Sequence, residues 1–342
     1  MKRNMKKVLS AATGAAMLAG GAMQAAVAEV EYEVKVSEAH ETSYAKVANV
    51  AGEFSFDQNT VTPADEIFNL FGTVSTAMCA RPGFAFDKAD SETRFINFGG
   101  SVLKDKTISL DELKEKGSET RLLKCSCATG AAVANAEITG VPLSRILQLV
   151  DVEDGTNTVT FTGTDGYSVS VPLTYALEKN ALLVYQVEGT PVPTGTQVWM
   201  PQSVARYFTR SLANVEFSIE ENLPEILQAD ASQRAKVSIM NRFEDAVFQV
   251  GDQIEFEGYA DDCDKAITAI EYSLDDGETW TAYETKNANP DRWVYWHFAY
   301  VTEATGTFKL DVRARAEDGT VSPLASSVVF TVNNAGGSAD RA

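Results

Sequence analysis

Hydrophobic and polar positions between about residues 67 and 228 switch repeatedly between a two-residue and a helical period, and short elements of both kinds interleave. Arg94–Val102 alternates and ends in Gly99-Gly100, which predicts a strand and turn. Ser109-Leu110-Asp111-Glu112-Leu113 reads as a short helix with Ser at its N-cap. Pro142-Leu143-Ser144-Arg145-Ile146-Leu147 starts a second helix, with Pro where its missing N–H costs nothing. Asn157–Thr162 predicts a strand, Asp165–Leu173 a turn into another, Leu173–Lys179 a helix and Ala181–Val187 a strand. Such interleaving predicts an α+β fold, with residues 67–228 as a mixed α/β domain.

After Ala229 the helical period disappears. Apolar alternation recurs at Val247–Gly258, Ile267–Ser273, Thr279–Tyr283, Trp293–Ala299, Gly306–Ala316 and Ser326–Val332, with turn signals at Asp275-Asp276-Gly277 and Glu317-Asp318-Gly319. This spacing predicts an immunoglobulin-like β-sandwich over 229–333, followed by a flexible polar tail over 334–342. Upstream, residues 29–66 read as an acidic N-terminal extension with one edge strand at Val30-Tyr32-Val34-Val36.

Residues 1–28 carry Lys2, Arg3, Lys6 and Lys7 ahead of an Ala- and Gly-rich apolar stretch closed by Ala26-Val27-Ala28, the pattern of a cleavable export signal. The stretch is too rich in Gly, Ala and Thr for a membrane span, so the mature protein is expected to be extracytoplasmic, periplasmic or secreted, without a stable membrane anchor. The chain carries 48 acidic against 29 basic residues, a formal charge of −19, which argues against a nucleic-acid partner. Only two histidines occur, His40 and His297, in different predicted domains, which argues against His-based zinc sites and Ser-His-Asp catalysis. No Cys-Xaa-Xaa-Cys-His is present for haem attachment.

Candidate chemistry centres on Cys125, in Arg121-Leu122-Leu123-Lys124-Cys125-Ser126-Cys127 at the end of a predicted strand. A run of small residues follows, read as a loop that leaves room for something large beside the sulfur. Two readings stand together. A thiolate here is a ligand for a soft or high-valent metal, and Arg121 and Lys124 favour the thiolate. Alternatively, cysteines two positions apart in an exported protein are structural thiols or disulfide partners, and the two cations are solvated strand-edge charges.

Leu123-Lys124-Cys125, followed by Ile138-Thr139-Gly140-Val141-Pro142-Leu143, resembles the molybdopterin-binding domain of the sulfite oxidase family of molybdoenzymes. Asp165-Gly166-Tyr167-Ser168-Val169 and Leu183-Val184-Tyr185-Gln186-Val187-Glu188-Gly189-Thr190-Pro191-Val192-Pro193 are similar to its next elements. Ile270-Glu271-Tyr272-Ser273-Leu274-Asp275-Asp276-Gly277-Glu278-Thr279-Trp280 and Trp293-Val294-Tyr295-Trp296 are similar to its C-terminal domain. The resemblance implies a molybdenum-molybdopterin cofactor with Cys125 as the metal ligand. It further implies Arg81, Ser126, Thr129, Ser203 and Arg206 as cofactor contacts, Tyr167 at the catalytic pocket, a small-molecule substrate, an electron-transfer partner and a homodimer. Cys79 and Cys127, whose segments meet near the pocket in that fold, are a candidate disulfide.

Departures from the family pattern narrow the activity. Where the family offers His-Gly and then Arg, this chain reads Thr194-Gly195-Thr196-Gln197-Val198-Trp199-Met200-Pro201-Gln202-Ser203, and Met78-Cys79-Ala80-Arg81-Pro82-Gly83-Phe84 stands nearest to the usual Arg-Asn-His. A small dianion needs fixed positive charge to leave water, so sulfite is not the expected substrate. Lys2-Arg3-Asn4-Met5-Lys6-Lys7 is a degenerate twin-arginine sequence, and a general secretory route would export an empty chain. Two functions follow: an exported molybdopterin-dependent oxidoreductase with an altered pocket, or a cofactor-free relative serving as an extracytoplasmic binding module.

Overall fold

Strand-forming alternation dominates the folded chain. A computed structural model describes residues 43–63, 95–126, 133–192, 195–229, 231, 234–241, 243 and 246–334. In chain order its elements begin with β1 (Glu53–Asp57), β2 (Phe95–Gly100), β3 (Lys106–Ser109), α1 (Leu110–Lys114), β4 (Glu119–Ser126), β5 (Val133–Pro142) and α2 (Leu143–Val150). Then come β6 (Thr158–Gly163), β7 (Ser168–Pro172), α3 (Leu173–Glu178), β8 (Leu182–Val187), β9 (Thr190–Pro191), β10 (Gln197–Trp199), a 3₁₀ turn (Ala205–Tyr207) and β11 (Leu212–Ser218). The last third holds β12 (Lys236–Ile239), β13 (Val247–Gln249), β14 (Gln253–Asp261), β15 (Ile267–Ser273), β16 (Thr281–Glu284), β17 (Val294–Val301), β18 (Gly306–Ala316) and β19 (Ser326–Asn333).

The expected α+β class, with a mixed α/β first domain, is corrected by this inventory: strands make up 49% of the structure and helices 9%. The expected helices form, but none exceeds eight residues. Asp151, at the end of α2, and Asn180, after α3, adopt φ of 49°, which stops the α-helical path within two turns. The small-residue run is the second source of the error. From Val133 to Pro142 it is a ten-residue strand between β4 and β8, not a loop. Ala136 and Ile138 are fully buried there, so tertiary packing overrides the weak strand propensity of Ala, Asn and Gly.

Two five-stranded sheets build the region before residue 219. One runs β3-β2-β11-β6-β7, antiparallel except for the parallel pair β2–β11. The other runs β10-β8-β5-β4, with β9 paired to β8. Alternation in β8 explains its unbroken apolar sequence, because Leu183 and Tyr185 enter a core shared with the first sheet and the helices. Leu182, Val184 and Val187 enter a second cluster with Leu123, Ile138 and Trp199. Gly140 is required here by close approach: a Cβ would sit 2.6 Å from the Leu183 carbonyl oxygen.

The C-terminal part is a two-sheet β-sandwich, β1-β17-β14-β12 facing β13-β19-β18-β15-β16, around one aromatic core. Tyr272 stacks on Phe298 at 4.1 Å and meets Trp296 edge-on at 5.7 Å. The predicted Asp-Gly turn between β15 and β16 is braced by Asp275, which accepts from Ser273 Oγ at 2.7 Å and Thr279 Oγ1 at 2.6 Å. Glu53–Asp57, read from sequence as part of the N-terminal extension, forms the β1 edge strand against β17. The edge strand expected at Val30–Val36 lies outside the described residues.

Candidate functional site

β4 carries Cys125 to the end of the second sheet, opposite Ala134 of β5, with Lys124 opposite Asn135 one step earlier. β4 is the outermost strand of that sheet, and its free edge is met by the sandwich. Lys124 N donates to the Asp291 carbonyl at 2.7 Å. The Lys124 side chain is buried, and its ammonium pairs with Asp261 Oδ1 at 2.6 Å and donates to the Asp262 carbonyl. Asp261 is fully buried and also takes Lys236 at 3.1 Å. Asn135, 1% exposed, accepts from Trp293 N at 3.0 Å through Oδ1, and its own carbonyl accepts from Thr62 N at 2.8 Å.

This geometry corrects the solvated-edge reading for Lys124. Lys124 is no solvated edge charge, because a buried carboxylate holds it. Arg121 is spent on Glu119, two residues before it on the same strand. A small polar cavity of about 60 Å³ lies beside β4, lined by Arg121, Leu123, Lys179, Asn180, Gln202 and Asp291. Gln202 Nε2 donates to Asp291 Oδ1 at 2.8 Å, so the loop after β10 is tied to the same sandwich segment as Lys124.

That loop carries Ser203 and Arg206. Ser203 Oγ donates to the Met200 carbonyl at 2.6 Å, and Tyr207 N donates to the Val204 carbonyl at 3.0 Å. The segment closes as a three-residue 3₁₀ turn rather than an α-helix, so no helix N-terminus is available there for a phosphate. Arg206 is exposed on this turn. Tyr167 Oη donates to the Arg206 carbonyl at 2.5 Å, which makes Tyr167 a brace for the loop. Tyr167→Phe is expected to cost about 1 kcal/mol locally. Faster amide exchange over residues 203–208, with little change in the unfolding midpoint, is the outcome that checks it.

Two buried hydroxyls border the same loop. Thr196 and Thr209 are fully buried, and neither Oγ1 has a hydrogen-bond partner among the described residues. Their segments pair through Val198 N to the Thr209 carbonyl at 2.7 Å and Leu212 N to the Thr196 carbonyl at 2.8 Å. A buried hydroxyl without a partner carries a desolvation cost that an arriving polar group removes. A polar group of a ligand reaching this loop would find two hydroxyls unpaired among the described residues.

Tyr167, Arg206 and Ser203 are brought together on one loop assembly. Cys125 and Ser126 are placed by the backbone of β4, while Arg81, Thr129, Cys79 and Cys127 lie outside the described residues. Cys263, read from sequence as a loop cysteine, is half-buried against the core of the first two sheets. Burial pushes its thiol up to about 11, which keeps it protonated and inert at neutral pH. Among the described residues no group of three or more His, Cys, Asp or Glu side chains is arranged to hold a metal ion. A centre held by one protein thiolate and the sulfurs of a pterin needs no such group. Sequence reasoning missed Asp261, Asn135 and Asp291 as supports of β4, and no local motif marks them.

Comparison with known proteins adds to this picture. Residues 85–222 match the family model of the oxidoreductase molybdopterin binding domain, a span that contains Cys125, Tyr167, Ser203 and Arg206. The crystal structure of the sulfane dehydrogenase SoxCD from Paracoccus pantotrophus shares the fold with a TM-score of 0.58 at 18% identity, covering 70% of this chain and 70% of that one. The SrpA adhesin R347E mutant from Streptococcus sanguinis reaches only 0.21 at 17% identity, over 26% of this chain and 54% of that one. Red sea bream transglutaminase reaches 0.24 at 10% identity, over 64% of this chain and 31% of that one. These last two bear on neither the fold nor the function. No curated protein matches the chain in sequence.

Proposed function

We propose, from the match of residues 85–222 to the oxidoreductase molybdopterin binding domain, that this chain is an exported molybdoenzyme of the sulfite oxidase type acting on a small molecule other than sulfite. The observation that carries the reading is the position of Cys125 within the matched span, at the end of a strand fixed on both sides. The bound cofactor supplies oxygen-atom transfer and the electrons that accompany it. Cys125 holds the metal as thiolate. Arg206, exposed on its 3₁₀ turn, offers its guanidinium to the pterin phosphate, and the Thr196 and Thr209 hydroxyls receive polar groups of the ligand. Ser126, Arg81 and Thr129 complete the proposed contacts.

The sparse cationic complement supports the substrate class. Arg121 is paired with Glu119 and Lys124 with Asp261, so neither presents free charge to a dianion. A neutral oxygen donor or acceptor loses less on leaving water, and it suits a pocket built this way. Each oxygen atom moved requires two electrons, so the reading includes an electron-transfer partner outside the cell, and it retains a homodimer. Export by way of residues 1–28 belongs to the same proposal.

The test is turnover of metal-replete protein with sulfite, using an oxidised dye as electron acceptor, beside neutral N-oxides and sulfoxides, using a reduced dye as electron donor. Turnover of the neutral compounds with sulfite inert supports the reading. Efficient sulfite oxidation overturns the substrate assignment.

A further inference from the structure

We propose that the C-terminal sandwich positions the Cys125 end of β4 through Lys124, Asn135 and Asp261, so that a domain remote in sequence sets where the strand presents its candidate ligand. The role of Cys125 rests on the function proposed above; the positioning of the strand does not.

Four contacts converge within one residue of Cys125 or of its cross-strand neighbour Ala134. The outer edge of β4 is closed by Lys124 N to the Asp291 carbonyl at 2.7 Å. The ammonium of the same residue reaches across to Asp261 Oδ1 at 2.6 Å, between side chains 7% and 0% exposed. On the paired strand, Asn135 accepts from Trp293 N at 3.0 Å, and its carbonyl accepts from Thr62 N at 2.8 Å. An edge strand ordinarily frays into solvent at its open side. Here its last residues before the cysteine and their partners on β5 are tied outside the sheet by backbone bonds, a buried amide and a buried ion pair.

The ion pair makes this more than packing. A buried lysine one position before a candidate ligand has one stable arrangement only while its carboxylate stays in place, because an unpaired buried charge is driven toward water. Lys236 holds the other oxygen of Asp261 at 3.1 Å, and Arg234 holds Asp262 at 2.9 Å, so the acceptor itself is fixed from within the sandwich. These supports fix the backbone of the strand one residue before the candidate ligand. Lys124 and Asp261 are therefore positioning residues.

The experiment uses full-length protein from the exported fraction, with Lys124→Met and Asp261→Asn as variants. The second nearly conserves side-chain shape and lies in the sandwich, so it remains informative if the first fails to fold. Hydrogen exchange is followed over residues 119–126, with residues 158–163 as internal reference, and the Mo(V) electron paramagnetic resonance signal reports the orientation of the ligand thiolate. The expected result is exchange about tenfold or more faster over 119–126, as loss of a buried ion pair opens the strand locally, an unchanged reference strand and a displaced Mo(V) signal. Exchange that is unchanged over 119–126, or that rises equally in both strands, would overturn the proposal. So would an unaltered Mo(V) signal in the variants. Wild-type protein that lacks molybdenum, with variants that still show the selective exchange change, would refute the enzyme reading while supporting the positioning of β4 by the sandwich.

Discussion

Cys125→Ser is expected to leave the protein folded and to lower turnover by more than about a hundredfold. The magnitude follows from a comparison: residues that merely support a metal ligand cost about 10–100-fold when removed, so the ligand itself must cost more. Folding should survive because the strand does not depend on that side chain. β4 is held by its full register with β5, by Leu123 in a buried cluster and by the Lys124 contacts to the sandwich. A serine hydroxyl stays protonated at neutral pH and is a poor ligand for a soft or high-valent metal, so bound molybdenum should fall with activity. Circular dichroism and the unfolding midpoint of the variant, measured beside its metal content, separate loss of the ligand from loss of the fold.

Trp296→Ala is expected to produce the largest loss of stability, about 3–5 kcal/mol. Trp296 is fully buried in β17 at the centre of the sandwich, with Tyr272 edge-on at 5.7 Å. Its ring lies so close over Gly258 that a Cβ there would come within 2.4 Å of Trp296 Cζ2. The indole Nε1 has no hydrogen-bond partner among the described residues, so the loss is one of packing and cavity formation alone. A lower urea midpoint with an unchanged slope is the expected signature. Because Trp293 N and the Asp291 carbonyl reach Asn135 and Lys124 from the strand's approach, partial loosening of the sandwich should also accelerate exchange in β4.

Much of the fold is legible in the sequence because local rules govern it. Ser109 caps α1 by accepting from Glu112 N at 3.1 Å, as its spacing predicts. Pro142 and Pro172 stand where α2 and α3 begin, and the Asp276-Gly277 turn takes the positive φ that those residues tolerate. The fold class was misjudged where long-range pairing wins. Val133–Pro142 carries loop-like residues, and only the presence of β4 and β8 on its two sides makes it a strand. The predicted Val247–Gly258 strand is broken by Gly251, with φ of 95°, into β13 and β14, which join different sheets.

The site shows the same division. Cys125, Tyr167 and Arg206 could be named because a resemblance in ordered motifs points to them, and the matched family domain spans all three. The part played by Tyr167 as a brace could not, since its partner is a carbonyl 39 residues away. Lys124 was visible as a charge beside a cysteine, but its meaning depends on Asp261, which lies 137 positions later in another layer of the molecule. Nothing in the local pattern of Asp261-Asp262-Cys263-Asp264 distinguishes a buried partner from a solvated acidic loop.

The most direct test of the central claim is molybdenum by plasma mass spectrometry, together with fluorescence of the released oxidised pterin, on wild-type protein purified from its native cells. The account predicts near-stoichiometric metal and pterin. Folded protein from that source containing neither would contradict it and favour the binding-module reading.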